Sequence, residues 1–132
     1  MLLIAGAGAC GHDETGSLVA SDVRVTPPRT EGGMSAGYFT LKNHTGETIT
    51  ITGVSSPQFE RVDMHETRIE DGVSRMRPID VLTIPPGGEV RLEPGGKHLM
   101  LMRPAGPTNV VTLELWSGNT LVTTLDTRSN DD

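Results

Sequence analysis

An all-β domain of antiparallel strands is the fold this sequence predicts, on three grounds. Short runs of β-branched or alternating residues recur along the chain. Clusters of Gly, Pro and Asn interrupt those runs at regular intervals, and no segment carries an apolar stripe at helical spacing. Strands spaced in this way read as an antiparallel sandwich or barrel.

The runs follow one another from residue 21. Residues 21–25 end at Pro27-Pro28, and residues 36–42 end at the turn Asn43-His44-Thr45-Gly46. Thr48-Ile49-Thr50-Ile51-Thr52 alternates polar and apolar with β-branched residues throughout, as a half-buried strand should. Residues 61–69 and 73–77 flank Asp71-Gly72, the strongest hairpin signal in the chain, because a two-residue I′ turn needs positive φ at both positions. Residues 81–84 and 89–92 are separated by Pro85-Pro86-Gly87-Gly88, and residues 98–102 follow Pro94-Gly95-Gly96. Val111, Leu113 and Leu115 alternate with Thr112, Glu114 and Trp116; Leu121, Thr123 and Leu125 follow the turn Ser117-Gly118-Asn119.

With 132 residues the chain supports one domain, which buries roughly two-thirds of its unfolded surface and needs no disulfide staple. Its core must come from Val, Leu, Ile and Met, since the aromatics are only Tyr38, Phe39, Phe59 and Trp116. A net charge of −6 without a basic run argues against nucleic acid or anionic lipid as partners. The sandwich is expected over residues 17–127, with a disordered tail at 128–132. Residues 1–16 read as the remnant of an export signal. Apolar and small residues run to Ala9, then Cys10 and the polar Gly11-His12-Asp13-Glu14. Cys after Gly-Ala resembles a relaxed bacterial lipoprotein site, which makes Cys10 the candidate lipidation residue. No basic segment precedes it, so the true start is expected upstream.

Chemistry concentrates in four residues: His65, Met76, His98 and Met100. Ten residues lie between the first two, twenty-one between Met76 and His98, and one between His98 and Met100. All four side chains are neutral donors, with no thiol or carboxylate among them. Thioether with imidazole favours monovalent copper over zinc, iron or magnesium. Imidazole must be neutral to coordinate while thioether does not titrate, so copper(I) affinity should fall in acid without vanishing.

The hairpin register supports a shared site. A two-residue Asp71-Gly72 loop sets Glu70 opposite Val73 and Thr67 opposite Met76, which leaves His65 diagonal to Met76 on one sheet face. Period two places His98, Met100 and Met102 on one face of their strand, with Leu99 and Leu101 on the other. Two further donors come into consideration. Met64 adjoins His65 but should share a face with Val62, and Met102 follows Met100; structural packing is the first reading for both. His44 reads as a solvated loop residue.

These spacings match the H-(M)-x10-M-x21-H-x-M pattern of the periplasmic copper chaperones known as PCuAC. The words Met64-His65-Glu66, Met76-Arg77-Pro78 and Lys97-His98-Leu99-Met100-Leu101-Met102 fit as well. Tyr38-Phe39-Thr40-Leu41-Lys42-Asn43 and Val54-Ser55-Ser56-Pro57 resemble that family's early strands, and the likeness covers roughly residues 18–126. The resemblance implies a cupredoxin-like Greek-key sandwich that binds one copper(I) through the His and Met side chains. It further implies delivery to a copper-accepting protein, either the dinuclear centre of cytochrome c oxidase or another periplasmic carrier. A monomer in the periplasm or at the envelope surface is expected, in contact with membrane only through a lipid anchor. Two departures are visible. The segment from Met102 to Asn109 looks shorter than usual, and no His-rich tail for a second, divalent copper is present, so one copper is implied.

Other classes compete with a carrier. A redox cupredoxin needs a Cys thiolate, and Cys10 lies outside the strand pattern. A hydrolase finds no support, because no nucleophile-elbow Ser motif is present and the two His are better explained as ligands. A metal-free β-sandwich interaction module stays open.

Overall fold

The computed structural model describes residues 16–27 and 34–128; Cys10, the leader-like segment and residues 129–132 fall outside them. The described residues form strands without a helix. In chain order these are β1 (Leu18–Thr26), β2 (Ser35–Asn43), β3 (Ile49–Ile51), β4 (Gly53–Ser55), β5 (Phe59–Glu70), β6 (Val73–Pro78), β7 (Leu82–Ile84), β8 (Glu89–Arg91), β9 (Lys97–Pro104), β10 (Val110–Ser117) and β11 (Thr120–Arg128). Each run expected from the sequence is found as a strand. Beyond those runs come β4, too short to stand out in the pattern and marked only by the resemblance at Val54-Ser55, and extensions that lengthen β5 to 12 residues.

One six-stranded sheet has the order β1-β2-β9-β5-β6, with β8 also paired to β2; against it lie a three-stranded sheet β11-β10-β4 and the pair β3-β7. The strand pairings among the described residues are antiparallel. The result is the antiparallel β-sandwich that the strand pattern predicts, of the cupredoxin-like kind that the resemblance implies.

Its core is aliphatic. Phe39, Leu41, Ile51, Ile84, Leu99, Leu101, Val111, Leu113 and Leu115 have no exposed surface. Each such side chain contributes roughly 1.5–3 kcal/mol on burial, so the sandwich closes without a large aromatic complement. Asn43, also buried, ties its edges together. Its amide donates to the carbonyls of Glu47 (2.7 Å) and Ile84 (2.8 Å), and its oxygen accepts from Thr45 N–H at 2.9 Å. His44 beside it is exposed, as a loop histidine should be.

Gly37 is the position where a side chain would crowd the core between β2 and β9. A Cβ there would lie 3.2 Å from Leu101 Cδ1 and 3.3 Å from Leu99 Cβ. The bare backbone of β2 thus lets the two leucines of β9 sit flush in the core, which fixes how β9 faces the rest of the sheet.

Candidate metal centre

Asp71 (φ 54°) and Gly72 (φ 77°) both occupy the left-handed region, so the hairpin turns in two residues as their sequence requires. The register is therefore the expected one: Glu70 pairs with Val73, Thr67 with Met76, and His65 with Pro78. Met76 sits one diagonal step from His65 on the same face. Strand β6 is an edge, and a proline at its end costs no interior ladder bond. All six of its residues are exposed, Met76 at 56%.

The decisive pairing joins strands distant in sequence. His98 on β9 is the direct cross-strand partner of His65 on β5, with Leu99 opposite Met64 and Met100 opposite Asp63. The two imidazoles lie with ring centroids 6.1 Å apart and planes inclined by 31°. Period two then fixes the faces. Leu99, Leu101 and Met64 turn to the core, and His65, His98, Met100 and Met102 turn away from it.

Hydrogen bonding prepares each ring differently. The Gly96 carbonyl lies 3.0 Å from His98 Nδ1; a carbonyl only accepts, so Nδ1 carries the proton and Nε2 keeps its lone pair. The same carbonyl accepts from Thr67 N–H at 3.1 Å, which ties β5 to the turn that launches β9. That turn is itself closed by Gly96 N–H to the Glu93 carbonyl (3.0 Å) and by Gly95 in the left-handed region at φ 85°. A backbone partner that fixes the tautomer and orientation is the usual support of a metal-binding histidine. His98 is 7% exposed and so is held on every side.

His65 Nδ1, in contrast, is buried without a hydrogen-bond partner. Leaving such a group unpaired costs about 1–3 kcal/mol, and folded proteins rarely accept that without a reason. A metal ion within reach would satisfy it. The donor set is thus one orphaned imidazole, one imidazole with a free Nε2, and thioethers beside both.

Carboxylates do not complete this set. Asp63 and Asp80 line a cavity of 220 Å³ beside His65, yet the described residues contain no cluster of three or more His, Cys, Asp or Glu that could hold an ion. Asp63 is already engaged by Arg61 Nε at 2.9 Å. A hard-cation site is therefore not formed among the described residues.

The structure brings His65, Met76, His98 and Met100 onto one face of one sheet. Met102 joins that face one step further along β9, opposite Arg61. Met64 packs inward, as the face it shares with Val62 predicts, and so supplies no substitute donor. It is buried in the core, because adjacent strand residues point to opposite faces and His65 takes the outer one. The Gly96 carbonyl is a contributor that sequence reasoning missed, since a backbone acceptor leaves no mark in residue type.

A family profile described as "Putative lipoprotein LpqE-like" matches residues 18–126. The chain belongs to the LpqE-like family. Among curated relatives of this LpqE-like protein, "Putative lipoprotein Lxx21020" of Leifsonia xyli subsp. xyli is 32% identical over 94 residues, 67% of this chain. "Uncharacterized protein RP573" of Rickettsia prowazekii is 32% identical over 71 residues, 53% of this chain. The chain's match spans 57% and 39% of those two relatives' lengths. Among solved structures, the copper-bound PCuAC domain from PmoF2 superposes with TM-score 0.68 at 18% identity, covering 93% of this chain and all of that one. Apo-DR1885 from Deinococcus radiodurans superposes with TM-score 0.64 at 21% identity, covering 97% of this chain and 88% of that one. At these identities the likeness establishes a shared fold, that of PCuAC domains.

Proposed function

We propose that this LpqE-like protein is a copper(I) carrier of the cell envelope. It holds one copper(I) through His65, Met76, His98 and Met100 and passes the ion to a copper-accepting protein. The observation that carries this reading is the His65–His98 cross-strand pair, with one Nδ1 buried and unpartnered and the other committed to a carbonyl. The copper-bound state of a PCuAC domain with this fold supports the choice of metal. The lipoprotein description of the family and of one relative supports export, with Cys10 as the lipid-attachment residue. A redox role has no thiolate to draw on among the four donors, and the reading is of a carrier rather than an enzyme.

Burial sets the order of ligand exchange. Met76 stands on an exposed edge strand, whereas His98 is enclosed and hydrogen-bonded. A partner's donor can therefore displace Met76 first while the imidazoles still hold the ion. All four ligands are neutral, so exchange leaves no uncompensated ligand charge. The acceptor that this reading favours has its own soft ligands, as the dinuclear centre of cytochrome c oxidase or a second carrier would.

Anaerobic titration with copper(I) against a competing chromophoric chelator tests the proposal. One tight equivalent per chain is expected, with zinc binding weakly because zinc sites draw on Cys, His and carboxylate. Stoichiometric zinc without tight copper(I) would overturn the choice of metal, and no metal at all would return the protein to a metal-free interaction module.

A further inference from the structure

The outer face that carries His98 and Met100 holds more thioether than the four-residue site uses. Met100 is paired with Ala36 across β2, and Leu101 with Ser35. The ladder ends at Ser35, and carrying its register one step beyond that end brings Met34 to the position opposite Met102, on the same face as Met100. Neither residue is core filler. The core-facing positions of β9 are Leu99 and Leu101, Met34 is 51% exposed, and Met102 is half-buried. An exposed thioether beside two others on a solvent-facing sheet contributes little to packing, so its chemistry is the better explanation. Across one rung, side chains directly opposite are ~4.5–5.5 Å apart at Cβ, and residues two apart on one strand are ~6.6 Å apart. Flexible methionine side chains close such gaps readily. Ala36, the neighbour of Met100 on this face, is too small to stand between them.

We propose that Met34, Met102 and Met100 form a second, all-thioether position for copper(I), sharing Met100 with the His–Met site and serving as its loading and unloading step. This rests on the copper-carrier reading for its direction of transfer, though not for its existence. The ion would move by ligand substitution alone. Met100 stays bound, and the thioethers of Met34 and Met102 replace His65, His98 and Met76. Every donor is neutral and copper stays monovalent, so no electron is exchanged. Three thioethers without imidazole suit a soft monovalent ion and little else. Arg61, opposite Met102, is engaged with Asp63 and supplies no competing ligand.

The test uses the full chain with methyl-labelled methionine, titrated with silver(I) as a redox-silent stand-in for copper(I). NMR follows the methionine methyls, six in the full sequence, one by one. The first equivalent should shift Met76 and Met100. Further silver should shift Met34 and Met102 together with Met100, while core-facing Met64 stays still. The double variant Met34→Leu, Met102→Leu should keep the first-equivalent shifts and lose the later ones. Its transfer of copper(I) to a chelator should be several-fold slower than wild type at unchanged stoichiometry of the tight site. Stationary Met34 and Met102 methyls under excess silver, or wild-type transfer rates in the double variant, would overturn the proposal. Should Met76 stay still while Met34, Met100 and Met102 respond, the thioether position stands and the His–Met reading fails instead.

Discussion

The two faces of strands β5 and β9 carry opposite chemistry on the same rungs. On the inner face Met64 meets Leu99, both buried in an aliphatic core. On the outer face, one residue away in each strand, His65 meets His98 with ring centroids 6.1 Å apart. One residue decides between scaffold and donor. The inner face explains why the outer one is rigid: leucines at 99 and 101, seated against Gly37, hold β9 so that His98 and Met100 cannot rotate away. Binding and folding are thereby separable by face, although they share strands.

That comparison breaks most visibly from the inside. Leu99→Ala should cost about 2–5 kcal/mol of stability through transfer and cavity terms. Copper(I) affinity should fall only as the folded fraction falls. Chemical denaturation of the metal-free protein, followed by copper(I) titration under conditions where the variant remains folded, separates the two effects. A folded Leu99→Ala protein with lost copper(I) affinity would mean that the faces are not independent.

From the outside the expected sign reverses. His65→Phe removes a buried nitrogen that has no partner, so the metal-free protein should gain stability or stay within about 1–3 kcal/mol of wild type. Its copper(I) binding should collapse, and with it the rise in melting temperature that the metal confers on wild type. A marked loss of metal-free stability would show that His65 is a packing residue.

The smallest effect lies in the exposed arm. Arg77 holds the Glu70 carboxyl below its ordinary value of 4.5, chiefly through the side-chain hydrogen bonds at 2.8 and 3.1 Å. A depressed carboxyl stabilises the fold above its unfolded value and loses that contribution as pH falls through its lower folded value. The pair is exposed, so the gain is small. Arg77→Gln should lower the urea midpoint slightly at neutral pH, and the difference from wild type should vanish in acid, once pH has fallen through the depressed folded value of Glu70 and its carboxyl is protonated. An undiminished difference in acid would contradict the ion pair as its source.

Much of this arrangement was legible in residue type and spacing. Asp71-Gly72 fixed the hairpin register, and so the diagonal of His65 and Met76, because its turn admits one loop length. Period two separated His98 and Met100 from Leu99 and Leu101 for the same local reason. Long-range facts were not legible. Nothing in either strand announces that β9 lies beside β5, and the pairing of His98 with His65 follows only from how the whole sheet closes. Strand β4 has three residues and no alternation to betray it. Met64 was legible as packing from the face it shares with Val62, whereas Met102, read first as packing, stands half-buried on the outer face opposite Arg61. Met34 could have been found by carrying the alternation of β2 back from Tyr38 and Ala36, a signal hidden by the Gly-rich segment before it.

The most direct measurement compares two conservative variants, Met64→Leu and Met100→Leu, in anaerobic copper(I) competition titrations alongside chemical denaturation. Both keep side-chain volume and lose only the sulfur, and volume-conserving swaps usually cost under about 1.5 kcal/mol. Met100→Leu should weaken copper(I) binding strongly with little change in the unfolding midpoint. Met64→Leu should leave copper(I) affinity at the wild-type value. Equal loss of copper(I) affinity in the two variants, or unchanged affinity in Met100→Leu, would contradict the assignment of donors to the outer face.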